Sequence, residues 1–232
     1  MWEFVTNNVN EIRAKIARAA EKTKRPADDI TIVAVSKTFP EDAVRAAVKA
    51  GITDIGENRL QEAEPKIKNL GDIARWHMIG HLQSNKVKRA VKIFDTIQSV
   101  DSFRLAELID TDDEIHARTV SCLIEVNSSG EKSKFGVEPS KTLDLIKKIS
   151  FLQNMKLCGL MTIGPLTDDP SQIRAAFRMT RKLFEEGKQI VGDYFNTLSM
   201  GMSSDYEIAV EEGATMVRIG TAIFGRRNGN IN

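Results

Sequence analysis

Residues 30–37 read Ile-Thr-Ile-Val-Ala-Val-Ser-Lys, an apolar and largely β-branched run with little polar alternation. Such a run predicts a strand that is buried on both faces, as strands of a parallel sheet are. Thr38-Phe39-Pro40 follow, and Pro40 predicts that a helix begins at once. A strand followed directly by a helix is the repeating unit of parallel α/β folds.

The same alternation of strand and helix continues to the end of the chain. Strand-like runs lie at about 30–36, 53–57, 75–79, 93–98, 119–126, 155–161, 196–200 and 215–219. Helix-like segments lie near 41–50, 58–69, 84–91, 102–110, 139–148, 171–189 and 203–211. About eight strand–helix units predict a single (β/α)8 TIM barrel. The alternative is an open doubly wound sheet, but no glycine-rich dinucleotide fingerprint follows the first strand.

The ends of the chain and its helix boundaries carry further signals. Residues 1–22 have apolar positions at helical spacing, which predicts an extra N-terminal helix, and 226–232 are predicted to be a frayed tail. No linker is evident, so we expect one domain over 1–232. Asp101 is predicted to cap the helix that Ser102 opens. The glycines predicted to end helices are Gly51, Gly71, Gly187 and Gly213.

Composition argues against several classes of protein. The 33 basic and 32 acidic residues nearly cancel, so no charge excess favours nucleic acid or an anionic membrane as partner. No apolar run approaches the roughly 20 residues of a membrane-spanning helix, and no signal peptide is evident. Cys122 and Cys158 lie in apolar runs without metal-ligand spacing, which is typical of a reducing compartment. We therefore expect a cytoplasmic protein, and a monomer because no long hydrophobic seam is present.

Lys37 is the first candidate functional residue. It follows the first predicted strand, at the end of a barrel where ligand sites are built. Partial desolvation there favours the neutral amine, the form that attacks an aldehyde to give a Schiff base. The alternative is a lysine whose stem leaves the strand end and whose ammonium stays in water. The position of Lys37 alone favours this alternative. The polar residues at the other strand ends reverse the preference and favour a lysine that forms a Schiff base.

Two late turns predict a phosphate site. Residues 200–205 offer backbone N–H groups and the hydroxyls of Ser203 and Ser204, and Gly220-Thr221 offers a second close backbone approach. Barrels often bind phosphate after strands seven and eight, where helix N-termini favour anions. Each turn alone could equally be a helix cap or a tight turn. Together, across a closed barrel from Lys37, they favour phosphate.

Other polar residues near strand ends have two interpretations each. Arg218 is predicted to be buried, where its charge needs a partner: an ion pair with Glu57 or Glu125, or a ligand ring nitrogen that it would keep unprotonated. Asn58 follows the second strand as a ligand contact or as an ordinary helix cap.

Two further signals point less clearly to a site. His77 and His81 are four residues apart, but we predict no metal site because no third ligand is evident. The polar loop 128–136 is expected to be solvated, with a lid over the site as the alternative.

Several motifs together resemble one known family. They occur, in that family's order, at 33–37, 56–59, 76–86, 198–203 and 217–220. The segment Trp-His-Met-Ile-Gly-His-Leu-Gln-Ser-Asn-Lys at 76–86 is the most specific. The set resembles the pyridoxal phosphate homeostasis protein family, whose barrel is similar to the N-terminal domain of alanine racemase, over about 30–225.

The resemblance implies both a cofactor and a function. The cofactor would be pyridoxal 5'-phosphate (PLP), held on Lys37 as an internal aldimine, and the function intracellular PLP (vitamin B6) homeostasis and amino-acid balance. Arg218 would face the pyridine nitrogen, and Asn58 would lie near the ring. The implied binding residues are Lys37, Asn58, Ser203, Ser204, Arg218, Gly220 and Thr221.

Three functions stay open at this point. The first is a PLP carrier that limits free aldehyde, exchanges with free amino acids and passes PLP to apo-enzymes. The second is a PLP-dependent amino-acid racemase of low or narrow activity, although one barrel uses up the chain and leaves no second domain to supply an opposing acid. The third is a barrel aldolase that uses Lys37 without PLP. The carrier, with no turnover reaction of its own, is the favoured interpretation.

Overall fold

Eight parallel strands close into a barrel in which each strand pairs with its neighbours along the chain and the last pairs with the first. The computed structural model describes residues 2–112, 119–131 and 134–226. The closing pair, β1 and β8, sets Val33 in register with Arg218. The strands are β1 (Thr31–Val35), β2 (Asp54–Glu57), β3 (Arg75–Met78), β4 (Thr96–Val100), β5 (Ser121–Val126), β6 (Lys156–Thr162), β7 (Thr197–Ser199) and β8 (Met216–Ile219).

Helices surround this barrel and cover its outer apolar face. Among the described residues they are α1 (Phe4–Lys22), α2 (Glu41–Lys49), α3 (Leu60–Leu70), α4 (Val87–Ile93), α5 (Phe103–Asp110), α6 (Pro139–Ile149), α7 (Pro170–Val191), α8 (Tyr206–Glu211) and α9 (Thr221–Phe224). α1 buries one apolar stripe, including Val5, Val9 and Ile16, and packs against α2, α8 and α9. The predicted (β/α)8 barrel with an extra N-terminal helix is confirmed.

The predicted start of β4 and the predicted cap of α5 were both wrong, for identifiable reasons. β4 begins at Thr96, because the chain first makes a short 3-10 turn at Ser84–Lys86 and α4 then continues to Ile93. Ser102 itself caps α5, with its hydroxyl accepting from the Leu105 N–H at 3.3 Å, so Asp101 is not the cap.

Gly187 does not end a helix but lies buried inside α7. A Cβ at this position would come within 2.9 Å of Ile146 and Phe195, so glycine serves close packing here.

Some predictions fall outside what the structure describes. Of the predicted tail only Arg226 is described, and Lys132 and Ser133 are missing from the described part of the 128–136 loop. No helix within the described ranges is long and apolar enough to cross a membrane. That residues 1–232 form one domain stays a prediction.

Candidate functional site

The turn that carries Lys37 is fixed from both sides by α3. Lys37 is half-buried just past the end of β1. On one side of it, Lys66 Nζ donates to the Ser36 carbonyl at 2.8 Å, and on the other, the Thr38 N–H donates to Glu62 at 3.0 Å. Thr38 has a φ of 67°, which is unusual for a β-branched residue. Tertiary contacts rather than local preference therefore set the position of Lys37.

A buried ion pair lies directly behind this turn. Glu57 Oε1 accepts from Lys66 Nζ and from the Ser36 hydroxyl, both at 2.6 Å. Burial raises the pKa of the Glu57 carboxyl, and the charge of Lys66 opposes that rise. Glu57 Oε2 is buried and finds no hydrogen-bond partner among the described residues. The hydrogen bonds from Lys66 and Ser36 therefore have to offset the cost of burying the Glu57 carboxylate.

The turns after β7 and β8 meet each other. Ser203 Oγ accepts from the Ala222 N–H at 3.2 Å, which brings Ser203 beside the start of α9, where Gly220 and Thr221 stand. A Cβ added to Gly220 would lie 3.4 Å from Val35, so the β8 turn also rests against the end of β1. Three of the predicted phosphate residues therefore lie close to the end of the strand that precedes Lys37.

The rest of the β7 turn offers less to a ligand than its sequence suggests. The Met202 N–H is already taken by Asp205 Oδ1, at 2.6 Å. Ser204 is exposed, and with Ser203 it lines a cleft of 280 Å³ against α1. Tyr206 opens α8 and is buried, and its pKa is raised to about 12 by that burial. Ser203 is thus placed closer to the β8 turn than Ser204 is.

Arg218 is buried in the barrel interior and held by two neutral oxygens. Its Nη1 donates to Ser199 Oγ and its Nη2 to the Thr162 carbonyl, both at 2.7 Å. Thr162 in turn bonds Ser128 through their hydroxyls at 2.7 Å. The guanidinium therefore points across the barrel toward β6 and β7.

The predicted structural ion pairs of Arg218 do not form. Glu57 pairs with Lys66 instead, on the outer side of the strands. Glu125 attracts Arg218, but no ion pair joins them within the described residues. Burial lowers the pKa of Arg218 to about 10, and the charges of Glu125 and Asp205 oppose this shift. Burial raises the pKa of Glu125 to about 7, against the attraction of Arg218. Burial in the barrel interior therefore disfavours the charged forms of both Arg218 and Glu125, and the guanidinium is held by neutral oxygens.

Asn58 lies at the rim of a cleft rather than at a helix cap. Arg59, not Asn58, is the N-cap of α3, and it makes no side-chain cap bond, so the helix-cap interpretation of Asn58 was wrong. Asn58 lines a cleft of 540 Å³ together with Met78, His81 and Lys86. It therefore stands where β2 opens to the barrel mouth.

The two histidines have separate surroundings. His77 is buried in the barrel and bonded to Asp54 and Gln98 at 2.9 and 3.0 Å. His81 lies at the mouth, 3.3 Å from Asp101, and stacks on Phe135 with ring centroids 4.0 Å apart. No group of three metal-binding side chains occurs among the described residues.

Sequence reasoning missed the partners of His77 and Arg218. Gln98 and Ser199 were not singled out, although both are polar residues inside apolar strands. That placement is the available signal, because a polar side chain in a doubly buried strand needs a partner.

Comparison with known proteins agrees with this geometry. The family described as "Alanine racemase, N-terminal domain" matches residues 8–228. A pyridoxal phosphate homeostasis protein of Pasteurella multocida is 40% identical over 230 residues, covering 97% of this chain and 98% of that protein. The protein of the same name from Escherichia coli K12 is 36% identical over 229 residues, covering 97% of each chain.

Solved structures of similar proteins have the same fold. PipY of Synechococcus elongatus with PLP bound has a TM-score of 0.79 and 37% identity, covering 91% of this chain and 100% of PipY. A protein from Bifidobacterium adolescentis has a TM-score of 0.90 and 38% identity, covering 95% of this chain and 94% of that one. Alanine racemase from Corynebacterium glutamicum shares the fold, with a TM-score of 0.76 at 14% identity, over 100% of this chain and 63% of its own. The chain therefore belongs to the pyridoxal phosphate homeostasis protein family, built on the barrel of the alanine racemase N-terminal domain.

Proposed function

We propose that this protein binds PLP, holds it as a Schiff base on Lys37, and acts in intracellular PLP homeostasis and amino-acid balance. The observation that carries the proposal is the contact between the β8 turn and the end of β1, where Gly220 meets Val35. This contact supports a site in which the Lys37 amine and a phosphate held by the β8 turn would share one mouth of the barrel. The relatives named for PLP homeostasis, and PipY with PLP bound, support it.

The residues at the mouth fit the chemical parts of PLP. An aldehyde suits Lys37, whose amine would condense with the carbonyl carbon, forming a C=N bond and releasing one water. A phosphate dianion suits hydroxyls and N–H groups at Ser203, Gly220 and Thr221, with Ser204 at the edge. When bound, PLP supplies an aldehyde for an amine and a ring that withdraws electrons from it. Asn58 would line the side of the ring that faces β2.

Arg218, together with the shared barrel, is compatible with a PLP carrier and also with the racemase-like alternative. A cation beside the ring nitrogen opposes protonation of that nitrogen, which limits the ring as an electron sink. An acid–base partner opposite Lys37 is also missing from the tyrosines. Tyr206 is buried in α8, and Tyr194 precedes β7 at the opposite end of the barrel. We therefore favour a carrier over a racemase-like enzyme.

The wider role follows from these features. We propose a cytoplasmic monomer that keeps the free aldehyde low and gives PLP up to apo-enzymes and free amino acids. The half-buried position of Lys37 supports reversible exchange, since outside amines can reach it.

The experiment that tests the proposal is near-visible absorbance with added PLP, followed by borohydride reduction and peptide mass spectrometry. We expect a new band and a reduced adduct on Lys37, both lost in Lys37→Ala. Lys86→Ala is the matched control, because Lys86 lines the neighbouring cleft, and its adduct on Lys37 should persist. An adduct scattered over surface lysines, or no band at all, would remove PLP from the interpretation and revive an aldolase that uses Lys37 directly.

A further inference from the structure

Five buried polar side chains form one hydrogen-bonded row across the barrel interior. Each comes from a different strand, so the row exists only in the closed barrel. None is more than 4% exposed. The members are Asp54 on β2, His77 on β3, Gln98 on β4, Ser199 on β7 and Arg218 on β8.

The bonds in the row can be read in one direction, starting from its cationic end. A guanidinium only donates, so Ser199 Oγ accepts from Arg218 at 2.7 Å. The Ser199 hydroxyl then donates to Gln98 Oε1 at 2.7 Å. This orients the amide, and Gln98 Nε2 donates to His77 Nδ1 at 3.0 Å. His77 is left with its proton on Nε2, which donates to Asp54 Oδ1 at 2.9 Å.

The far end of the row is anchored by an anion. Burial disfavours the charge of Asp54, but hydrogen bonds from His77, Arg75 and Thr53 outweigh burial and hold the pKa of Asp54 well below its usual value. The row thus joins the cation Arg218 and the anion Asp54 through the side chains of Ser199, Gln98 and His77. In this arrangement every donor in the row faces an acceptor, and Arg218 supplies only donors.

The row also decides between competing partners of Arg218. Glu125 and Asp205 both attract the guanidinium. Without an acceptor at Ser199, the side chain would keep only the Thr162 carbonyl and could turn toward either carboxylate. The Ser199 hydroxyl, which does not titrate, supplies the guanidinium with a neutral acceptor instead.

Resting on the proposed function, we propose that Ser199, Gln98 and His77 are positioning residues of the PLP site. They hold the guanidinium of Arg218 in one orientation beside the ring nitrogen of bound PLP. They touch neither the ring nor the phosphate and act only through Arg218.

The first test is a pH titration of the near-visible absorbance of the PLP-loaded protein. In Ser199→Ala and Gln98→Leu the cation is released from the ring nitrogen, so the titration midpoint moves up by about one pH unit. Ser199→Thr keeps the hydroxyl and keeps the wild-type midpoint. Thr180→Val is the matched control: it removes a buried hydroxyl bonded to Ala176 in α7, remote from the row. It lowers stability and leaves the midpoint unchanged.

The second test uses the protein without PLP. Nitrogen-15 NMR of the wild-type imidazoles should show His77 as the Nε2–H tautomer at neutral pH, and the opposite tautomer or an imidazolium would overturn the row as drawn. Because this NMR measurement uses the wild type, it still tests the inference if Ser199→Ala and Gln98→Leu both fail to fold. PLP uptake with an unshifted midpoint in Ser199→Ala overturns this inference alone. Failure of the wild type to take up PLP overturns the proposed function itself.

Discussion

Replacing Lys66 with methionine is the sharpest test of how α3 holds the Lys37 turn. The change keeps an unbranched side chain and removes the ammonium that bonds Glu57 at 2.6 Å and the Ser36 carbonyl at 2.8 Å. The side chains of Lys66 and Glu57 are only 11% and 0% exposed, so water can replace little of the lost interaction. Removing one partner of a buried ion pair costs about 3–5 kcal/mol, and we expect a loss of that size in the free energy of unfolding.

The loss should depend on pH, with a sign that the structure fixes. The pKa of Glu57 is already raised by burial, and Lys66 opposes that rise. Without Lys66 the folded-state pKa rises further above the unfolded value. A carboxyl of this kind favours folding when protonated and disfavours it as the pH rises through the folded pKa. Lys66→Met should therefore cost more at pH 8 than at pH 5.

Urea unfolding at both pH values measures this directly. The matched control is Lys141→Met, which breaks an exposed pair whose side chains are 67% and 65% exposed and should cost less than about 1 kcal/mol. Adding Glu57→Gln to Lys66→Met removes the buried charge and should recover part of the loss. A loss below about 1 kcal/mol in Lys66→Met, or an equal loss at the two pH values, would refute the reasoning.

Three more outcomes are expected. Ser203→Ala should weaken PLP binding about tenfold in equilibrium dialysis, because a hydroxyl near a phosphate charge is lost, whereas exposed Ser204→Ala should have a smaller effect; equal effects would contradict the placement of Ser203. Gly187→Ala should lower stability by about 1–3 kcal/mol in thermal unfolding, since its Cβ would lie 2.9 Å from Ile146 and Phe195, and an unchanged midpoint would show that the site can expand. Amino acids incubated with the PLP-loaded protein in heavy water should gain no more α-deuterium than with Lys37→Ala; faster gain would favour the racemase-like alternative.

Periodic features of the sequence were enough to predict the barrel. The run at 30–37 contains the strand Thr31–Val35, in which Val33, Ala34 and Val35 are all buried, because β-branched residues packed on both faces have few alternatives to a parallel sheet. Local patterns failed where packing decides. Gly187 has the residue type of a helix end, but its role depends on Phe195, which only the folded chain brings near.

The candidate site was predictable in part. Residues at strand ends are recognisable because the barrel gathers them at one mouth, as with Ser203 and Gly220. The partners of Arg218 were not recognisable, since they depend on register between strands far apart in sequence. A pairing such as Gln98 with Ser199, 101 residues apart, leaves no periodic trace.

The seam between β1 and β8 has a consequence for when the protein can act. Val33, in the strand that leads to Lys37, pairs with Arg218 about 185 residues later, and this pairing forms only when the last strand closes against the first. Such a long-range contact forms late, after the entropy of closing the chain has been overcome. A growing or partly unfolded chain therefore lacks the site. PLP bound at the seam would contact both the first and the last strand of the barrel and so stabilise their pairing. Loading with PLP should stabilise the whole barrel in proportion to the logarithm of the PLP concentration above its dissociation constant.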